Sequence, residues 1–118
     1  MKTLPEIVAE TKEHLHCLSP EAAKERMARD DNPLMIDVRE PGEVQEKRVN
    51  DFINIPRGVL EMKIYEQTQD PERPIYLHCA TGGRAALSAA ALERMGFRNV
   101  HVIDSDCDHL IEHLGGEC

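Results

Sequence analysis

Six consecutive residues, Cys79-Ala80-Thr81-Gly82-Gly83-Arg84, bring together a nucleophile, two glycines and a cation. The glycine pair frees the backbone to turn successive N–H groups inward around an anion. A helix that opens just after them adds the positive end of its dipole at the same point. Such surroundings favour a thiolate over a thiol. Arg84 adds a fixed charge able to hold an oxyanion through two parallel hydrogen bonds. A nucleophile with its own anion hole suits group transfer through a covalent intermediate. The plainer alternative is a small buried Cys at a strand end, followed by an ordinary helix cap. Cys, Gly-Gly and Arg together at one strand-to-helix junction favour chemistry over that alternative.

The segments around this loop must place it. Short apolar runs bounded by turn residues predict strands at 34–38, 52–55, 75–78 and 100–103, with a further short strand at Cys17-Leu18. Helical spacing of Leu4, Ile7, Val8, Thr11 and Leu15 predicts an amphipathic helix over 4–16. Ser19-Pro20-Glu21 reads as a helix start. Further helical patterns fall near 41–47, 58–67 and 83–95, the last closed by Gly96. Strands alternating with helices predict an α/β fold, a mainly parallel central sheet with helices on both faces. We divide the chain into a helical extension over 1–16 and a domain over 17–118. The amphipathic stripe of the extension must be covered, either by its own domain or in a homodimer.

In such folds the site lies outside the carboxyl ends of the strands. That confines the search to Arg39-Glu40, Arg57-Gly58, Cys79 to Arg84 and Asp104 to Asp108. Arg39, Arg57 and Arg84 would form a cationic mouth that focuses anions. Arg57 is read as helping to bind an anionic ligand. Arg39 is read as pairing structurally with a carboxylate such as Glu40 or Glu43. Asp37 sits inside an apolar strand and needs buried partners. His78 precedes the nucleophile, and strand alternation points it away from Cys79, so it is not read as a base.

The 118 residues suffice to bury a core without disulfides or metal. Fourteen basic against twenty-two acidic residues give a net charge of −8, which argues against nucleic-acid binding and docking on anionic membranes. The amino terminus turns acidic at once, unlike a secretory signal, and Ala85 to Leu92 is too short to span a bilayer, so a cytoplasmic location is expected. Cys17, Cys79, Cys107 and Cys118 lack disulfide or CxxC spacing and read as thiols. Cys17 is expected to be packed and Cys118 to sit on a frayed end. Cys107, on the same sheet edge as Cys79, could resolve an oxidised Cys79 as a disulfide. His109 and His113 share a helix face, yet no zinc motif is present, and no metal is expected.

Three ordered segments resemble the rhodanese family. Met35-Ile36-Asp37-Val38-Arg39-Glu40-Pro41-Gly42-Glu43 is similar to its first signature, and Phe52-Ile53-Asn54-Ile55-Pro56 to the next. Leu77 to Ala85 is similar to its active-site loop, and Met95 to Val100 to the segment before its last strand. The likeness runs from about Leu18 to Leu114. It implies a rhodanese-like sulfurtransferase in which Cys79 accepts a sulfane sulfur and holds it as a persulfide. It implies that residues 80–84, namely Ala80, Thr81, Gly82, Gly83 and Arg84, cradle that sulfur and the donor's oxyanion. It implies that Asp37, with Arg39, belongs to the supporting framework. The partners would be a small anionic donor such as thiosulfate and a thiol or protein sulfur acceptor, with no cofactor. Four residues separate Cys79 from Arg84; within this fold phosphatases have one more, so the count favours sulfur transfer. A same-fold phosphatase or arsenate reductase, a non-catalytic binding module and a thiol redox sensor are the alternatives. The chain departs from the family pattern where Lys47 to Asp51 replaces the usual Gly, His and Pro. It departs again where Ser105-Asp106 replaces a Gly pair and where Leu110 stands for a Trp.

Overall fold

The computed structural model describes residues 1–117. Five parallel strands form the central sheet: β1 (His16–Leu18), β2 (Leu34–Asp37), β4 (Ile53–Asn54), β5 (Ile75–His78) and β6 (Val100–Ile103), in the order β1-β6-β5-β2-β4. The helices are α1 (Leu4–Lys12), α2 (Pro20–Arg29), α3 (Pro41–Glu46), α4 (Leu60–Gln67), α5 (Gly83–Arg94) and α6 (Cys107–Leu114). A single 3-10 turn, Arg57–Val59, leads into α4. The expected α/β architecture is therefore present.

Strand alternation divides the core in two. Ile36 and Val38, Ile75 and Leu77, and Val100 and Val102 face the layer built by α4 and α5 through Leu60, Ile64, Ala85, Ala89 and Leu92. Tyr76 and Ile103 face the other layer, where Ala23 of α2 and Leu110 of α6 cover them. Small residues on α5 (Ala85, Ala86, Ser88 and Ala89 are all fully buried) let that helix lie close on the sheet and make up for the scarcity of aromatics.

Several boundaries move. The first helix ends at Lys12, not near 16, because the chain turns there so that His16–Leu18 can pair with β6. The second predicted strand shrinks to Ile53–Asn54. A second, two-stranded sheet, β3 (Arg48–Val49) with β7 (Gly116–Glu117), was not foreseen. Gly116 permits it: a Cβ there would stand 2.1 Å from the carbonyl oxygen of Arg48. Helix α1 packs on α5, with Val8 against Gly83. None of the described helices is long and apolar enough to cross a membrane. Cys118 lies outside the described residues.

Candidate active site

Strand β5 delivers Cys79 to the carboxyl edge of the sheet, and α5 begins four residues later. Alternation places the Cys79 side chain with Ile75 and Leu77, beneath α5, where the residue is 1 % exposed. Its Sγ accepts hydrogen bonds from the backbone N–H of Gly82 at 3.1 Å and of Ala85 at 3.3 Å. Gly82 makes this geometry by taking the left-handed region, φ +97°, at the position that caps α5. The sulfur thus sits at the mouth of a helix amino terminus, within reach of two donors that can stabilise negative charge on it. Ala80 is partly exposed and Thr81 exposed, at the tip of the loop.

Arg84 stands on the first turn of α5, but both arms of its fork are engaged. Nη1 donates to Glu43 Oε2 at 2.7 Å and Nη2 to Glu43 Oε1 at 2.9 Å. This pairing raises the Arg84 pKa and, through the same hydrogen bonds, pulls that of Glu43 down to about 2. Glu43 also accepts from the backbone N–H of Glu40 at 2.8 Å, which ties the start of α3 to the start of α5. The sequence offered Glu43 as a partner for Arg39, not for Arg84. Its pairing with Arg84, 41 residues away, has no local signal.

Beneath the loop lies a buried charged cluster. Asp37 and Arg39 are 2 % and 3 % exposed. Arg39 Nε donates to the two Asp37 oxygens at 3.0 and 3.1 Å, Nη2 to Oδ2 at 2.7 Å, and the Arg39 backbone N–H to Oδ1 at 3.0 Å. Arg39 Nη2 also donates to the carbonyl of Lys47 at 2.7 Å. His78, paired in register with Asp37 across β2 and β5, brings Nε2 to 3.2 Å from Asp37 Oδ2, close but not aligned as a hydrogen bond. Burial alone would raise the Asp37 pKa; His78 and Arg39 outweigh it and hold the carboxyl below its ordinary value. Arg39 is thus buried against a carboxylate, and that carboxylate is Asp37 rather than Glu40 or Glu43. His78 points away from Cys79, with its ring edge-on to Phe52.

A cleft of about 500 Å³ opens beside the loop, lined by Ala80, Arg39, Glu43, Lys47 and Cys107 among others. Cys107 is 8 % exposed, and burial pushes its thiol pKa up. Burial does the same for Cys17, which packs against the core from β1. Arg57 is not among the residues lining this cleft; its Nη1 donates to Glu61 Oε1 at 2.8 Å, one turn along α4.

One site neighbour, Lys12, was missed altogether, whereas its partner Asp104 lies in a segment the sequence singled out. Lys12, at the end of α1, donates to Asp104 Oδ1 at 3.0 Å, and this bridge abuts Gly82. A Cβ on Gly82 would stand 2.7 Å from Asp104 Oδ1 and 3.3 Å from Lys12 Nζ. Helix α1 therefore forms part of the wall around the loop.

A family model described as the rhodanese-like domain matches residues 19–109. YrkF of Bacillus subtilis, whose assigned name is that of a candidate sulfur carrier protein, is 30 % identical over 83 residues. Those residues are 70 % of this chain and 44 % of the relative, so the chain spans less than half of that protein's length. A sulfurtransferase of Allochromatium vinosum is 24 % identical over 83 residues, 70 % of this chain and 76 % of that protein. Among solved structures, the 30 kDa polysulfide-sulfur transferase homodimer of Wolinella succinogenes superposes with a TM-score of 0.74 at 30 % identity. The superposition covers 89 % of this chain and 79 % of that one.

Proposed function

The chain belongs to the rhodanese-like domain family, and from that premise we propose that it transfers a sulfane sulfur through a persulfide on Cys79. The observation that carries this reading is the pair of backbone N–H groups, of Gly82 and Ala85, aimed at Cys79 Sγ. In the first step the Cys79 thiolate attacks the outer sulfur of a donor such as thiosulfate. A new S–S bond forms, the donor's S–S bond breaks, and sulfite leaves with the electron pair. The product is a Cys79 persulfide anion. In the second step a thiophilic acceptor, cyanide or a thiolate, attacks the outer sulfur and the Cys79 thiolate departs. Oxidation states balance within each step, and neither requires a cofactor.

Residues 80–84 carry the anionic outer sulfur and the departing oxyanion on their N–H groups. Arg84 supplies charge at the loop and Arg57 attracts the donor from further out. The Asp37–Arg39 pair holds the β2 end against which the loop rests. With Cys79 1 % exposed, the donor must be small or present its sulfur on a slender side chain.

Intact mass of the reduced protein before and after thiosulfate tests the reading. Wild type gains one sulfur atom, Cys79→Ala does not, and cyanide removes the gain with release of thiocyanate. Reversal by cyanide separates a persulfide from a sulfinic acid of nearly equal mass. No gain with either thiosulfate or a more reactive persulfide donor overturns the proposal.

A further inference from the structure

On the face of the sheet away from Cys79, where α2 packs against α6, three ligand-bearing side chains converge. His109 and His113 are four residues apart on α6 and so stand one above the other on one face of the helix. Glu21 comes from the first turn of α2, 88 residues away from His109. His109 Nε2 lies 3.2 Å and His113 Nε2 2.9 Å from the same atom, Glu21 Oε1, and the two rings are 5.0 Å apart. The three ligand atoms all fall within 4.8 Å of one another.

We propose that Glu21, His109 and His113 form a surface site for a divalent transition metal of the zinc class. Two imidazole nitrogens and one carboxylate oxygen are a donor set that Zn²⁺ and Ni²⁺ favour. Both imidazoles already point their Nε2 atoms at a common centre, so little rearrangement is needed. Each ring would present its Nε2 lone pair and carry its proton on Nδ1, and water would complete the shell. Glu21 is exposed and both rings are half-buried, so the site is open to solvent, and binding would fasten α2 to α6. The spacing of His109 and His113 alone carries no zinc motif; the third ligand is brought by the fold.

Titration calorimetry with Zn²⁺ on the full chain tests this, in a Cys79→Ser background so that the reactive thiol does not compete. One ion binds per chain, and both His113→Ala and Glu21→Gln weaken the affinity at least fivefold while circular dichroism shows the chain still folded. Excess Zn²⁺ also raises the melting temperature of the parent but not of His113→Ala. Absence of binding at 100 µM free Zn²⁺ (about −5.5 kcal/mol) overturns the proposal. A loss of less than fivefold in both variants overturns it equally, because the zinc then sits elsewhere.

Discussion

Replacing Gly82 by Ala tests the geometry of the loop through two separable costs. The first is backbone strain: φ +97° is the left-handed region, where a Cβ costs about 1–2 kcal/mol. The second is steric: the new Cβ would stand 2.7 Å from Asp104 Oδ1, so that carboxylate must retreat and release Lys12. Lys12 and Asp104 are 26 % and 42 % exposed, and a pair so placed contributes at most about 1 kcal/mol. Gly82→Ala should therefore lower stability by about 1–3 kcal/mol, or roughly 4–12 °C in melting temperature for a chain of this size. In an Asp104→Ala background the steric cost disappears and about 1–2 kcal/mol remains. Urea titrations of the four proteins at pH 7.5 under reduction give the cycle. The sulfur-uptake rate, followed by intact mass, should fall at least tenfold in Gly82→Ala, because the Gly82 N–H moves off Cys79 Sγ. A Gly82→Ala chain within about 0.5 kcal/mol of wild type refutes the strain argument. Equal losses in both backgrounds refute the clash with Asp104.

Asp37→Ala leaves the buried Arg39 guanidinium without its carboxylate and should cost about 3–5 kcal/mol in urea unfolding; a loss under about 1 kcal/mol would show the pair to be dispensable. Glu43→Gln frees the fork of Arg84 at neutral pH and should lower the KM for thiosulfate severalfold, whereas Arg57→Ala should raise it. An unchanged KM in either variant removes that arginine from donor binding. Acid does not mimic Glu43→Gln until the pH falls through the ordinary glutamate value towards about 2, the depressed pKa of Glu43. Burial, then the charges of Arg26 and His16, lowers the His101 pKa to about 4. The unfolded chain then takes up this proton first, so stability falls as pH drops from the ordinary imidazole value to about 4, by up to about 1.4 kcal/mol per pH unit. Urea midpoints between pH 7 and 5 should show that slope, and His101→Gln should flatten it; an equal slope in the variant would contradict the assignment.

The loop and its strand were legible because everything that makes them is contiguous: the apolar run 75–78, the Cys, the glycines and the helix that follows. The parallel sheet was legible from alternation of elements, and the pairing of Arg39 with a carboxylate from its place beside an acid-rich turn. Its partner was not, because Asp37 lies two residues back and only burial of both side chains makes that short return better than a solvent-facing pair with Glu40. Contacts that join distant segments left no trace in local pattern. Lys12 and Asp104 are 92 residues apart, and Arg84 and Glu43 are 41 apart. The two-residue strands β3 and β7 fall below the length at which alternation is visible, and they pair only because Gly116 tolerates the carbonyl of Arg48.

The strand order carries a consequence for how the chain is made. The edge strand β1 leaves the ribosome before its partner β6, which lies 85 residues later at the His16–His101 pair. At about 5–20 residues per second, β1 waits roughly 4–17 s before it can dock. Asp104 follows β6 directly, and until it emerges Lys12 has no carboxylate to hold α1 against Gly82. Cys79 precedes Asp104 in synthesis, so the Lys12–Asp104 wall beside its loop is the later part to assemble.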